Sequence, residues 1–295
     1  MGMKIDCYEI ANNVFFKCKE ILENDKIKNQ NLKPCFATII VGKNPASLIY
    51  VKNKIKKSND LGIVSYIYEL EENVNEKEIL NLIDELNENS LINGIFVQMP
   101  LPKHIDSVKI TNRIAANKDV DGLNLINLGK LDYSDKTGFV PCTALGIIKI
   151  LEESKIDLAG KNVAVLGRSL LVGLPTFKLL LQKNATVSVL HSYSQNIKEI
   201  TKTMDILIVA VGSPLLIDES YIKKDAIILD VGINKVEVNG ITKTVGDVNF
   251  DSVINKSLLV SSVPKGVGLL TVNYLMFNII KAFVMQNNMQ INISI

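Results

Sequence analysis

The sequence has little of what metal centres and disulfide-rich domains require. Among its 295 residues there are only two histidines and four cysteines, Cys7, Cys18, Cys35 and Cys142. No two of these cysteines form a Cys-x-x-Cys pair, and zinc sites need closely spaced His and Cys ligands. The sequence therefore predicts no metal site. Scattered thiols are typical of a reducing compartment, so we expect a cytoplasmic protein.

An excess of one charge is also missing. The 33 basic and 31 acidic residues leave a net charge of +2, which argues against a nucleic-acid partner and against an anionic membrane surface. No run reaches about 18 uncharged apolar residues, and the best candidate, 206–217, is interrupted by Gly212 and Pro214. The first twenty residues include Lys4 and Asp6, unlike a signal peptide.

Short apolar runs alternate with longer amphipathic stretches along most of the chain. This alternation is typical of βαβ units and a parallel sheet. The predicted strands cover residues 35–41, 63–68, 94–97, 162–166, 186–190, 206–211, 226–231 and 258–260. The predicted helices cover residues 45–59, 76–89, 144–153 and 270–285. The alternation pauses between Lys103 and Thr143.

The length and the two series of strands predict an α/β protein of two domains with a cleft between them. The first is an N-terminal α/β substrate domain formed by residues 1–140, onto which the final helix at 270–295 packs back. The second, residues 141–269, is a Rossmann-like domain with a doubly wound parallel sheet.

A glycine-bounded loop follows the strand at residues 162–166. Gly167-Arg168-Ser169 opens it and Gly173 closes it. A glycine at a strand end lets phosphate approach the backbone amides of the next helix. Ser169 replaces the second glycine of the usual dinucleotide pattern, and the closing glycine comes one residue late. A plain turn between strand and helix remains the alternative.

The next strand ends without the carboxylate that binds the ribose 2′-hydroxyl of NAD. It ends at Leu190, followed by His191 and Ser192. Without an acidic residue, a 2′-phosphate is not repelled, and Arg168 and Ser192 offer it charge and a hydrogen bond. The pattern favours NADP over NAD. The alternative for His191 is an ordinary residue at a strand end.

The helix predicted at residues 45–59 carries Tyr50 and Lys54 four residues apart. This spacing places both on one face, while Lys52 and Lys56 turn away from it. Such a face could stack an aromatic ring and bring an amine to a reacting carbon. A solvated basic surface is the simpler alternative.

Two further candidates follow the strand at residues 94–97. Gln98 comes directly after it, where parallel sheets bind ligands. Asp121 precedes Gly122 and could accept two N–H groups from an aminopyrimidinone ring. An ordinary Asp-Gly turn is the alternative for Asp121.

Eight segments in fixed order resemble the methylenetetrahydrofolate dehydrogenase/cyclohydrolase family. They are VGKNPASLIYVKNK (41–54), GIFVQMPLPKHI (94–105), KDVDG (118–122), PCTALG (141–146), GRSLLVGLP (167–175), DVGIN (230–234), GDVNF (246–250) and VPKGVGLLT (263–271). The resemblance covers nearly the whole chain.

The resemblance implies two consecutive reactions of one-carbon metabolism, which also supports purine biosynthesis. In the first, 5,10-methylenetetrahydrofolate is oxidised by NADP to the 5,10-methenyl form. In the second, the methenyl form is hydrolysed to 10-formyltetrahydrofolate. The resemblance also implies a homodimer formed through the nucleotide-binding domain.

The resemblance also implies roles for individual residues. Lys54 is the catalytic lysine, Gln98 hydrogen-bonds and tunes it, Tyr50 stacks on the folate, and Asp121 holds the pterin. To act as a base, Lys54 needs a lowered pKa, which burial against Tyr50 and apolar side chains would provide. The residues implied to bind the cofactor or to line the nicotinamide side are Thr143, Gly167, Arg168, Ser169, Gly173, Ser192 and Ile233, with Pro264 and Gly268 where the folate approaches.

Several positions depart from the family pattern. Leu123-Asn124-Leu125 stands for the usual Phe-His-Pro, and Ala144 stands for a proline. Lys265 replaces a glycine, which restricts the backbone if that position needs a positive φ. Leu269 replaces a proline, from which we expect a freer loop.

Three alternatives remain at this point. One is a family member with one activity reduced or with a preference for NAD. Another is an amino-acid- or shikimate-type dehydrogenase, which shares the two-domain plan but does not explain GIFVQMPLP or KDVDG. The third is a non-catalytic folate- or nucleotide-binding protein.

Overall fold

The computed structural model describes residues 2–29, 32–238 and 240–293, without the side chains of residues 45–50 and 238. The chain divides into two compact units. Asn13–Cys142 and Val272–Ile295 form what we name the three-stranded unit, and Met1–Asn12 and Thr143–Thr271 form the six-stranded unit.

The strands and helices are numbered along the chain. The strands are β1 (Met3–Lys4), β2 (Cys35–Val41), β3 (Val64–Leu70), β4 (Gly94–Val97), β5 (Asn162–Leu166), β6 (Thr186–Leu190), β7 (Ile206–Val209), β8 (Ile227–Asp230), β9 (Asn234–Val238), β10 (Ile241–Val245) and β11 (Leu259–Val260). The helices are α1 (Cys7–Leu22), α2 (Asp25–Lys28), α3 (Pro45–Asp60), α4 (Glu76–Glu88), α5 (Ser107–Arg113), α6 (Leu125–Asp132), α7 (Cys142–Glu153), α8 (Gly173–Gln182), α9 (Ile197–Thr201), α10 (Phe250–Val253) and α11 (Gly268–Gln286).

All eight predicted strands and all four predicted helices are confirmed. The bounds of β2, β4, β5 and β6 are those predicted, and the other predicted elements differ at their ends by one or two residues. The agreement arises because most of the strands are short apolar runs and the helices carry apolar residues at helical spacing.

The three-stranded unit contains a parallel sheet in the order β3-β2-β4. The central strand β2 is buried along its whole length, as expected for a strand covered on both faces. Helix α4 packs its apolar side against this sheet through Ile79, Ile83 and Leu86, which recur at helical spacing.

The six-stranded unit contains a parallel sheet in the order β1-β11-β8-β7-β5-β6. From β5 the chain proceeds to β6 on one side and then returns to β7 on the other. This reversal makes the sheet doubly wound, and in such sheets ligands bind beyond the carboxyl ends of the strands at the reversal point. The loop that begins at Gly167 leaves β5 at that point.

The first twelve residues correct the expected domain boundary. They were expected in the first domain but belong to the six-stranded unit, because β1 pairs in parallel with β11. The amide of Met3 donates to the carbonyl of Leu258, and that of Ile5 to Val260, both at 2.9 Å. A two-residue strand has no measurable periodicity, so the sequence pattern could not reveal it.

Other elements were not predicted from the sequence. The stretch between Lys103 and Thr143 contains α5 and α6, and the first 22 residues contain α1. An antiparallel hairpin formed by β9 and β10 follows Ile233. Its two strands mix charged and polar residues with apolar ones. Their described side chains form no buried run that would mark them as strands in the sequence.

Helix α11 is long and apolar enough to cross a membrane by length and composition, yet 61% of its apolar window is buried inside the protein. Leu275, Met276 and Ile279 are at most 1% exposed. From Val272 onward it belongs to the three-stranded unit, where the Asn278 side chain donates to the carbonyl of Val120 at 2.8 Å. These features are those of a core helix.

Candidate active site

Lys54 is buried in the three-stranded unit. It lies on α3 and is 6% exposed, whereas Lys52 and Lys56 on the same helix are exposed. The predicted facing of the three lysines is confirmed, so for Lys54 the alternative of a solvated surface is wrong. The side chain of Tyr50, the predicted stacking residue, lies outside the described side chains.

Two neighbours on β4 and just beyond it contact the Lys54 amine. Nζ donates to Oε1 of Gln98 at 3.0 Å and lies 3.5 Å from the centre of the Phe96 ring. The Gln98 amide is held at both ends, since its Nε2 donates to the carbonyl of Met99 at 2.6 Å. Its own backbone N–H donates to Ile39 on β2 at 2.9 Å. Gln98 therefore presents an oriented acceptor to the amine.

Phe96 was not among the predicted site residues. It precedes Gln98 by two positions, and residues two apart in a strand share one face of the sheet. That period was available in the sequence once Gln98 had been chosen. The aromatic ring stabilises a cation through its π-electrons while it excludes water from it.

Burial changes the proton affinity of Lys54. Loss of hydration lowers the pKa of Lys54 to about 8, although the charges of Asp121 and Cys142 act in the opposite direction. Burial raises the pKa of Asp121 to about 6, and Lys54 works against that rise. The structure thus brings Lys54 and Asp121 into electrostatic contact, as well as Cys142, which was not among the predicted site residues.

A buried carboxylate organises the loop that carries Asp121. The Asp119 side chain is 1% exposed and accepts the amide of Gly122 at 3.0 Å and that of Asn124 at 2.8 Å. It also accepts the side-chain amide of Asn127 at 2.8 Å. Three donors that follow Asp121 in the chain therefore tie the loop to Asp119, which precedes it.

The departure at Asn124 has a structural explanation. Its side-chain oxygen accepts the amide of Ile126 at 2.8 Å and so caps the N-terminus of α6. Its side-chain nitrogen donates to the carbonyl of Ile114 at 2.9 Å. Asn124 therefore supports the loop and the start of the helix.

The glycine-bounded loop of the six-stranded unit is tightly closed. Gly167 has a φ of +112°, and a β-carbon there would overlap the carbonyl oxygen of Ala210. A β-carbon at Gly173 would overlap the carbonyl oxygen of Gly167. The backbone therefore requires glycine at both ends of the loop, which leaves the start of α8 uncovered by side-chain atoms there.

The candidate phosphate-binding residues follow two adjacent strands. Arg168 and Ser169 come after β5 and Ser192 comes after β6, and all three lie at least partly open to solvent. The two strands are paired as far as Leu166 and Leu190, and the Gly167 amide donates to the Leu190 carbonyl at 2.8 Å. His191 shapes the following turn, because its Nδ1 accepts the amide of Tyr193 at 3.2 Å.

The remaining candidates of the six-stranded unit lie near the start of α11. A β-carbon at Gly268 would lie 3.7 Å from Cδ1 of Ile233, whose side chain is 49% exposed. The hydroxyls of Thr143 and Thr271 form a hydrogen bond of 3.2 Å. The Ser262 hydroxyl donates to the carbonyl of Pro264 at 3.2 Å.

Two departures in this segment have different consequences. Lys265 has a φ of +69°, which lies in the left-handed region. A lysine backbone is strained there, whereas a glycine backbone is not. At Leu269 the expected freer loop is not found, because its amide donates to the carbonyl of Gly266 at 3.1 Å. A proline has no N–H for this bond.

Comparisons with known proteins identify the family. Residues 5–121 match the catalytic domain of the tetrahydrofolate dehydrogenase/cyclohydrolase family, and residues 141–287 match its NAD(P)-binding domain. The chain belongs to this family.

Within the described residues, no group of three or more His, Cys, Asp or Glu side chains could hold a metal ion.

Three members of the tetrahydrofolate dehydrogenase/cyclohydrolase family illustrate the likeness. The bifunctional protein FolD of Wolbachia sp. subsp. Brugia malayi is 42% identical over 97% of both chains. The crystal structure of the bifunctional enzyme FolD from Campylobacter jejuni is 40% identical, with a TM-score of 0.91 over 98% of this chain and 99% of that one. The Trypanosoma brucei enzyme, solved with NADP cofactor and an inhibitor, is 34% identical with a TM-score of 0.91 and covers 96% and 98%.

Family membership removes one of the three alternatives. An amino-acid- or shikimate-type dehydrogenase would not match the catalytic domain of this family over residues 5–121. It would also not be 42% identical to a FolD protein along nearly its whole length.

Replacing Gly173 by alanine tests the closed loop. We expect Gly173→Ala to lower the free energy of unfolding by roughly 1–3 kcal/mol, because its β-carbon has no space beside the Gly167 carbonyl. Gly129→Ala is the matched control: it lies within α6 with nothing near its β-carbon, and should raise stability by up to about 1 kcal/mol. Urea unfolding measures both, and equal effects of the two variants would contradict the tight closure.

Replacing Lys265 by glycine tests the left-handed position. We expect Lys265→Gly to raise the free energy of unfolding by up to about 1 kcal/mol, since glycine adopts positive φ without a steric penalty. The control is Lys224→Gly, an exposed lysine of the same unit without a positive φ, which should lose roughly 0.5–1 kcal/mol through chain entropy. Thermal unfolding distinguishes them, and a destabilised Lys265→Gly variant would contradict the prediction.

Proposed function

We propose that this protein oxidises 5,10-methylenetetrahydrofolate with NADP⁺ and then hydrolyses the 5,10-methenyl product to 10-formyltetrahydrofolate. The observation that carries the proposal is the buried Lys54 amine, held by Gln98 and with its pKa lowered to about 8. An amine with such a pKa is partly neutral close to physiological pH, as a general base must be.

The six-stranded unit fits a dinucleotide. Gly167 and Gly173 leave the N-terminus of α8 free of β-carbons, and that helix end attracts phosphate through its amides and dipole. We assign Arg168, Ser169 and Ser192 to the cofactor phosphates, since they are accessible beyond β5 and β6. Arg168 and Ser192 suit the 2′-phosphate of NADP, and no acidic residue follows β6 directly to repel it. When bound, NADP⁺ accepts the hydride of the first reaction.

Thr143, Ile233, Pro264 and Gly268 are assigned to the nicotinamide side and the approaching folate. The exposed apolar side chain of Ile233 offers a surface for an aromatic ring. Hydride transfer needs no base, so the task of these residues is to place the reacting carbon in contact with the ring.

The second reaction requires proton transfer by Lys54. Neutral Lys54 takes a proton from the water that attacks the methenyl carbon. It then returns this proton to the folate nitrogen N5 as the bond between that nitrogen and the carbon breaks. The hydroxyl proton of the intermediate passes to solvent as the formyl carbonyl forms, so hydrolysis of each methenyl cation releases one proton. Gln98 accepts a hydrogen bond from the amine, which orients it, and its amide takes no proton away.

Asp121 is assigned to the pterin ring. Its carboxylate could accept two N–H groups of the aminopyrimidinone, and the Asp119 network holds its loop in place. We assign Tyr50 to stacking on the folate, because four residues separate it from Lys54 on α3.

We propose further that the protein works as a cytoplasmic homodimer formed through the six-stranded unit. Within the described residues the outer edge of β6 pairs with no strand, which leaves this end of the sheet for a partner copy. Sedimentation equilibrium should give twice the mass of the chain, and a monomer at all concentrations would contradict this assembly.

A spectrophotometric assay tests the proposed function. The protein is mixed with 5,10-methylenetetrahydrofolate and either NADP⁺ or NAD⁺, and the methenyl product and its decay are followed together. We expect turnover with NADP⁺ and an enzyme-dependent decay. Decay of added methenyl substrate without hydride transfer would indicate a cyclohydrolase alone, faster turnover with NAD⁺ would reverse the cofactor preference, and neither activity would indicate a binding protein.

Replacing Lys54 by methionine should abolish hydration. Methionine fills similar volume without a base, so we expect methenyl hydrolysis to fall at least about 100-fold, the usual contribution of a general base. Lys52→Met is the control on the same helix, because this lysine is exposed and points away. Initial rates of methenyl decay measure both, and equal residual hydration in Lys54→Met and the parent would contradict the assignment.

The rate of hydration should depend on pH through Lys54. Since the neutral amine is the active form, the enzyme-dependent rate rises with pH up to about 8 and levels off above it. In Lys54→Met the rise of the enzyme-dependent rate should disappear. Any rise that remains in this variant belongs to the uncatalysed reaction. A rate that falls over the same range would assign a protonated group to the step instead.

A further inference from the structure

Two buried carboxylates without an assigned role lie close together in the six-stranded unit. Asp230 ends β8 and is 3% exposed, and Asp247 follows β10 and is 0% exposed. They belong to the segments DVGIN and GDVNF, to which no individual role except that of Ile233 has been assigned. Buried charges persist only where several donors stabilise them, so their hydrogen bonds show what they hold.

Asp230 holds the segment that contains Asp247. Its carboxylate accepts the backbone amides of Gly232, Asp247 and Val248, each at 3.0 Å. These bonds connect the loop after β8 with the segment after the hairpin.

Asp247 holds two loops at the carboxyl ends of neighbouring strands. One oxygen accepts the amides of Val211 at 2.7 Å and Gly212 at 2.9 Å, just after β7. The other accepts the side-chain nitrogen of Asn234 at 2.8 Å, next to Ile233. A single side chain thus joins the loop after β7 to the loop that carries Ile233.

The two segments pack reciprocally through glycines. A β-carbon at Gly232 would overlap the carboxylate of Asp247, and one at Gly246 would overlap that of Asp230. The space around both carboxylates is therefore filled by backbone, which leaves their positions little freedom.

The loop after β7 also contacts the nucleotide loop. Ala210, which precedes Val211, donates its amide to the carbonyl of Leu166 at 2.8 Å. Its own carbonyl oxygen fills the space that a β-carbon at Gly167 would need. The Asp247 carboxylate binds Val211, and Ala210 beside it packs against Gly167. The same carboxylate binds Asn234, which is the neighbour of Ile233 in the chain.

We propose that Asp247 is a positioning residue for the cofactor: it sets the loop after β7 and the Ile233 loop in the arrangement that binds NADP. The inference rests on the proposed function, because that proposal is what assigns Gly167 and Ile233 to the same cofactor. Hydrolysis of the methenyl folate consumes no nucleotide, so this second activity should not depend on Asp247.

The test uses Asp247→Asn, Asn234→Asp and the double variant. The amide of Asp247→Asn accepts the two backbone N–H groups without the negative charge that strengthens those bonds, and its nitrogen then faces Asn234, whose amide must turn over to accept from it. Asn234→Asp places two carboxylates together instead. In the double variant the new amide at position 247 donates to the new carboxylate at position 234 and still accepts from Val211 and Gly212. The bond between the two positions is then restored with reversed direction.

The matched control is Asp251→Asn. Asp251 is an exposed aspartate of the same unit, so this variant makes the same chemical change outside the network. It should match the parent in every measurement.

Three readouts separate positioning from folding. The dissociation constant of NADP⁺ is measured by calorimetry, methenyl hydrolysis is measured without nucleotide, and hydrogen exchange of the Val211 and Gly212 amides is measured without any ligand. Each single variant should weaken NADP⁺ binding about tenfold or more and speed that exchange, whereas the double variant should recover most of the loss. Methenyl hydrolysis should stay within about twofold of the parent in every variant.

Several results would overturn the inference. NADP⁺ binding by Asp247→Asn equal to that of the parent would do so, as would a double variant no better than the two single ones. An equal loss of hydrolysis and NADP⁺ binding would show that Asp247 only supports the fold. A parent that binds no NADP⁺ would overturn the proposed function itself, which distinguishes the two failures.

Discussion

The removal of the Lys54 amine from water is the constraint on which the candidate chemistry depends. A buried ammonium loses the stabilisation that water gives its charge. The Gln98 oxygen, the Phe96 ring and the charge of Asp121 replace only part of that stabilisation. This incomplete compensation lowers the pKa of the amine. Each of these partners lies on or just after β4 or in the loop at Asp121, so Lys54 acquires this environment only when the three-stranded sheet and that loop have formed.

Buried aspartates organise the candidate functional loops of both units in the same way. Asp119 accepts three donors around Asp121, and Asp230 and Asp247 accept three each around the loops after β7 and β8. Loops at strand ends have backbone amides that no neighbouring strand satisfies, and a buried carboxylate satisfies several of them at once. Candidate site residues next to such a carboxylate gain fixed positions without taking part in the network themselves.

The departures from the family pattern are accommodated by local hydrogen bonds or by backbone strain. Asn124 caps α6, and the Leu269 amide bonds to Gly266, so both substitutions add a contact to their loops. Lys265 has a positive φ and leaves the segment before α11 less stable than a glycine would. Two of these departures therefore add a hydrogen bond to their loops, and the third strains its backbone.

Periodicity in the sequence was enough to predict the main strands, the final helix and the facing of Lys54, because each is encoded by neighbours along the chain. It could not reveal β1, whose two residues become a strand only by pairing with β11, or the hairpin, whose side chains are not buried as a run. In the same way Gln98, Asp121 and the glycine loop could be chosen from local motifs. The lowered pKa of Lys54 and the link from Asp247 to Val211 and Asn234 arise between residues far apart in sequence, so only the tertiary structure decided them.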